Sequence, residues 1–77
     1  MGRRKAMRRS NTKRLESVAR GLRIQAERLY KVYEDEGGTM EAKDAFYLQD
    51  SYKDIIYMAG AMERIARVAR EDADDEV

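Results

Sequence analysis

The chain contains no cysteine, no histidine and no proline, and each absence closes off a class of behaviour. Without Cys there are no disulfides and no thiolate chemistry. Without His as well, the usual zinc sets and the ordinary near-neutral general base are missing. Nothing requires an oxidising compartment, so a cytoplasmic protein is expected, in the host cytoplasm if the protein is viral. Long apolar runs are lacking too. The longest stretch without a charge, Ile55 to Met62, is eight residues, whereas a membrane-spanning helix needs about 18. No apolar segment follows the basic N-terminus, and Ala6 stands where the myristoylation pattern asks for Ser or Thr, so neither a membrane partner nor a secretory signal is expected.

Catalysis is not expected either. It would need carboxylates, Lys or Tyr held in a concavity, which two slender helices do not offer. Ser10, Ser17 and Ser51 have no base to complete a triad. The acidic run around Gly37 and Gly38 lacks the alternating Asp/Asn ligands and terminal Glu of a calcium loop. No catalytic residue, cofactor or metal is assigned.

What the sequence does contain is helical periodicity. Ala45, Leu48, Tyr52, Ile55, Ala59, Met62, Ala66 and Ala69 recur at alternating steps of three and four, the spacing that aligns one face of an α-helix. Leu15, Val18, Ala19, Leu22, Ala26, Leu29, Tyr30 and Tyr33 mark a second stripe upstream. Ser10, Asn11 and Thr12 are N-cap candidates for the first helix, and Thr39 for the second, with left-handed glycine expected between them. Glu16 with Arg20, and Glu27 with Lys31, are spaced as acid-before-base pairs along one helix. Gly21 is read as a point of close backbone approach.

The expected fold is all-α: an antiparallel two-helix hairpin, with helices at about 12–36 and 39–71. A basic arm at 1–11 precedes it and an acidic tail at 72–77 follows. Seventy-seven residues make one small domain, whose single core rarely supplies more than about 3–5 kcal/mol. Self-association into a four-helix bundle, or docking on a partner, would complete it. If the chain reverses at its paired glycines, Leu22 faces Tyr52, Leu15 faces Ala59 or Ala61, and Met62–Arg70 lies against residues 5–13. The apolar end of the second helix would then lack a partner. Ile24, Ile56, Tyr57, Met62, Ile65 and Ala69 are accordingly the candidate protein interface.

Net charge is +1, yet residues 1–33 hold eleven Lys/Arg against two acidic residues, and residues 34–77 hold five against thirteen. Arg3, Arg4, Lys5, Arg8, Arg9, Lys13 and Arg14 concentrate positive charge at the start, with almost nothing apolar among them. Such a segment attracts phosphates by counterion release, without base preference. Arg3 to Arg14 resembles, in composition, the arginine-rich segments that fold as helices in RNA grooves and the basic DNA-packaging arms of small phages. Two functions follow as expectations. In one, a homo-oligomer contacts nucleic-acid backbone non-specifically through the arm. In the other, a protein–protein interaction module or inhibitor, of the phage anti-defence kind, docks its helical faces on a larger protein assembly.

Overall fold

A computed structural model describes residues 7–75, with side chains through residue 72. Among the described residues there are two helices and no strand: α1 (Arg9–Glu36) and α2 (Ala42–Asp75). They lie antiparallel as a slab of 56 × 24 × 13 Å, two helices wide and one thick. The all-α hairpin is therefore as the periodicity implies.

Alanine makes the seam. Ala19 and Ala26 on α1, and Ala59 and Ala66 on α2, are the buried hydrophobic residues, with Thr12 one turn-pair earlier on α1. Each step is seven residues, and Tyr33, Tyr52 and Ala45 continue the same rows toward the connection. Small residues let helix axes approach toward the short end of the roughly 8–10 Å range. That leaves no room between the helices for the neighbouring Leu15, Leu22, Leu29, Leu48, Ile55 and Met62, and each of these stays partly exposed. Among the described residues no large side chain is fully buried. Thr12 fits the seam because its hydroxyl donates to the Arg8 carbonyl at 3.3 Å.

Helix ends depart from the expected boundaries for identifiable reasons. α1 begins at Arg9 rather than near Thr12. Arg8 holds the extended N-cap conformation with no side-chain cap, so Ser10, Asn11 and Thr12 are helical residues and not caps. α2 begins at Ala42 rather than Thr39 and runs on to Asp75. Thr39 turns its hydroxyl back to the Glu36 carbonyl at 3.0 Å, closing α1 instead of capping α2.

The glycines do not reverse the chain. Gly37 keeps right-handed helical angles, φ −58° and ψ −32°, and its N–H donates to Tyr33. No described glycine has positive φ. The amides of Thr39 and Met40 both donate to Glu36, which prolongs the helical path before the chain turns. Gly37 is needed for closeness: a Cβ there would run into the Tyr33 carbonyl oxygen. The expected close approach at Gly21 is absent, since a Cβ there meets nothing within 4 Å.

This connection moves the register. Arg23 pairs with Glu63 and Glu16 with Arg70, so the halfway residue is Lys43 and not the glycine pair. Leu22 therefore sits level with the turn Met62–Arg64 instead of Tyr52, and Leu15 level with the turn Ala69–Glu71. The stretch Met62–Arg70 lies against Leu15–Arg23, not against the basic arm. The ladder of α2 finds its apolar counterpart along α1, and the apolar surface left exposed runs beside the seam along the hairpin rather than at its far end alone.

Candidate interaction faces

A slab one helix thick has two broad faces, and the seven-residue repeat assigns residues to each. On one face, beside the seam, α1 presents Glu16, Arg20, Arg23, Glu27 and Tyr30, and α2 presents Gln49, Lys53, Ile56, Glu63, Arg67 and Arg70. Glu16, Arg20, Arg23, Glu63, Arg67 and Arg70 line one shallow groove there. Two forked ion pairs cross it. Arg23 donates both Nε and Nη2 to Glu63 at 2.7 Å, and Arg70 donates Nε at 2.8 Å and Nη2 at 2.7 Å to Glu16.

These pairs replace the expected bond between Glu16 and Arg20: planar guanidinium against carboxylate across the seam is the better geometry. Hydrogen bonding to Arg70 holds the Glu16 carboxyl below its ordinary value, with Arg70, Arg20 and Lys13 adding favourable charge. The bond to Arg23 lowers Glu63 in the same way, and Glu63 raises Arg23. Exposure of all four side chains keeps the pairs weak contributors to stability. Toward the connection this face changes to aromatic contact, with the Tyr30 ring 5.0 Å from Tyr52 and 6.0 Å from Tyr33.

The opposite face carries no charge over the same length. Leu15, Val18, Leu22, Gln25, Leu29 and Val32 of α1 lie beside Leu48, Ser51, Ile55, Met58, Met62, Ile65 and Ala69 of α2. Val18, Val32, Met58 and Ile65 are each about half exposed.

The six residues expected to form one protein interface divide among three surfaces. Met62, Ile65 and Ala69 belong to the uncharged face. Ile56 lies on the ion-paired face. Ile24 and Tyr57 point outward from the edges of the slab, away from the seam. What reading for bulk alone missed is the row Val18, Val32 and Met58, each one residue before a seam position, and that repeated offset was the available signal.

Among the expected nucleic-acid contacts, Arg8, Arg9, Lys13 and Arg14 are exposed and collar the first two turns of α1. Arg3, Arg4 and Lys5 lie outside the described residues. The Arg14 guanidinium donates to the Asn11 side chain at 3.4 Å, and among the described residues no ion pair joins the collar to a carboxylate. The same register brings residues 72–75 of α2 alongside residues 10–13. Among the described residues no group of three or more potential ligands gathers around a metal position, and no helix is long and apolar enough to cross a membrane.

Comparison with protein-family models, with curated proteins and with solved structures finds no match. The functional reading rests on the two faces and the collar alone.

Proposed function

We propose that this is a non-enzymatic binding protein that grips nucleic-acid backbone through the basic start of α1, its hairpin completed by self-association into a four-helix bundle. One observation carries the reading: the charges on α1 are set against its own dipole. The first turns hold Arg9, Lys13 and Arg14 and no acidic residue, and the last turn holds Glu34, Asp35 and Glu36 and no basic one. Each misplaced charge costs about 0.3–1 kcal/mol of helix stability. An anion at the uncapped α1 start relieves that cost twice, by neutralising the cations and by accepting from free backbone N–H groups. A phosphate chain supplies such anions in series, and the collar contacts it without reading bases.

Salt titration of binding to duplex DNA and to structured RNA tests this reading. Engagement of all seven cations would weaken affinity for duplex DNA by several thousandfold between roughly 50 and 200 mM salt. Substituting Arg8→Ala together with Arg9→Ala would lower the salt slope by about two. Deleting residues 71–77 would tighten binding at low salt, because tail carboxylates compete with phosphate for the collar. Affinity indifferent to salt and to the double substitution would refute the reading.

The uncharged face favours a second reading, docking on a larger protein as an adaptor or inhibitor. Capture of such a partner would survive high salt and be lost in Ile65→Asp.

A further inference from the structure

The uncharged face is wide, flat and internally repetitive. Its two helices run antiparallel and present matching rows, so the face is complementary to its own copy. We infer that a second copy of this chain covers it, turned end for end, with α1 against α1 and α2 against α2 of the two protomers. This deepens the self-association proposed above by naming the surface and the orientation, and it stands whether or not nucleic acid is the ligand.

Two areas point to a second copy. The hairpin exposes 6527 Å², against roughly 4,900 Å² for a compact monomer of 9.0 kDa. The excess, roughly 1,600 Å² on one chain, is about twice the share that each partner gives up in a standard interface, so one such interface fits within it. The slab outline of 56 × 24 Å offers roughly 1,300 Å² in projection, more than the about 800 Å² each partner contributes to such an interface. Covering this face also creates the second layer that a domain core requires, enclosing Leu22, Ile55, Met58, Met62 and Ile65 in the way that facing helices of a bundle do.

Charge chooses the orientation. Residues 7–24 and 61–75, at the end holding the α1 start, carry nine Lys/Arg against six Asp/Glu, a local net charge of +3. Residues 25–60, at the connection end, carry four against eight, a net −4. Turning the second copy end for end sets the positive half of each protomer over the negative half of the other. The same-end arrangement stacks like on like.

The absence of Cys permits a direct test with the full chain. A spin label on Gly38→Cys, an open position where an added Cβ meets nothing within 4 Å, marks the connection. The label-to-label distance is expected to approach the 56 Å length of the slab. A distance of about 20 Å, near the two-layer thickness of a bundle, means same-end packing and overturns the proposal. The thermal midpoint is expected to rise with chain concentration. A midpoint constant from micromolar to millimolar protein overturns it, as does a mass above two chains by sedimentation. Val18→Glu is expected to raise the dimer dissociation constant at least a hundredfold, and Tyr47→Glu, exposed on the outer side, to leave it unchanged. Equal effects of the two also overturn the inference. Nucleic-acid affinity is read separately, so loss of phosphate binding with the dimer intact counts only against the basic collar.

Discussion

The two broad faces are built on the same helices, over the same length and against the same alanine seam, yet they meet opposite requirements. One satisfies itself within the hairpin, by forked ion pairs from Glu16 to Arg70 and Arg23 to Glu63. The other is satisfied only in part within the hairpin: Leu15, Leu22, Leu29, Leu48, Ile55 and Met62 are half-buried, while Val18, Val32, Met58 and Ile65 project from it with no charge beside them. Alanine is the cause of both. A close seam excludes larger side chains from between the helices, so apolar volume is displaced to one side and charge to the other. The elongation follows, with a radius of gyration of 17.2 Å against about 11.5 Å for a compact chain of this length.

Filling the seam would erase the distinction between faces and is the largest expected effect. Ala26 is fully buried, and Ala26→Leu should cost about 3 kcal/mol by urea denaturation, because overpacking pushes the helices apart. A neutral result would mean that the seam is loose. Next, Gly37→Ala forces a side chain against the Tyr33 carbonyl, so the connection must shift and the ion-pair register with it. A loss of about 2 kcal/mol is expected, together with loss of the Glu16–Arg70 coupling in a double-mutant cycle.

A smaller change, of opposite sign, is expected at Gly21, which is exposed and surrounded by open space. Gly21→Ala should stabilise by about 0.5–1 kcal/mol through reduced freedom of the unfolded chain. The smallest effect concerns acid. The Glu16 and Glu63 carboxyls are both lowered from 4.5 by their arginine partners. Their contribution is therefore fully present above pH 4.5 and is lost as pH falls through the lower folded-state values. A urea midpoint followed from pH 6 to pH 3 should fall less steeply in the Glu16→Gln, Glu63→Gln double variant than in the parent chain. Parallel profiles would remove the ion pairs from the account of the charged face.

Much of this architecture was legible in the sequence, and the failures share a cause. The ladder from Ala45 to Ala69 and the upstream stripe from Leu15 to Tyr33 follow from periodicity alone, since an apolar row at helical spacing has one way to be buried. Register was not legible. It depends on whether Gly37 and Gly38 turn the chain or continue the helix, and glycine tolerates both. That choice is made by the Thr39 and Met40 amides reaching Glu36, a contact that no spacing rule reports. Caps failed for a related reason: Thr12 has the chemistry of a cap, but burial in the seam gives it a better use. The candidate interface residues divide among surfaces in a way that bulk alone does not show. Ile24, Tyr57 and Ile65 look alike as exposed apolar side chains until the seam fixes which way each points.

Ile24 and Ile65 therefore supply the most direct test. They are the same residue with nearly the same exposure in the hairpin, 47% and 46%, but Ile24 lies on an outer edge and Ile65 on the uncharged face. Ile24→Lys and Ile65→Lys are to be compared at equal chain concentration by denaturation with sedimentation. Ile24→Lys should stay within about 0.5 kcal/mol of the parent and keep its mass, while Ile65→Lys should lose 2 kcal/mol or more, on the order of burying an unpaired charge, and sediment as a single chain. Equal, small losses at the two positions, with no change in mass, would show that both isoleucines face water and would contradict the division of the molecule into a self-satisfied face and a covered one.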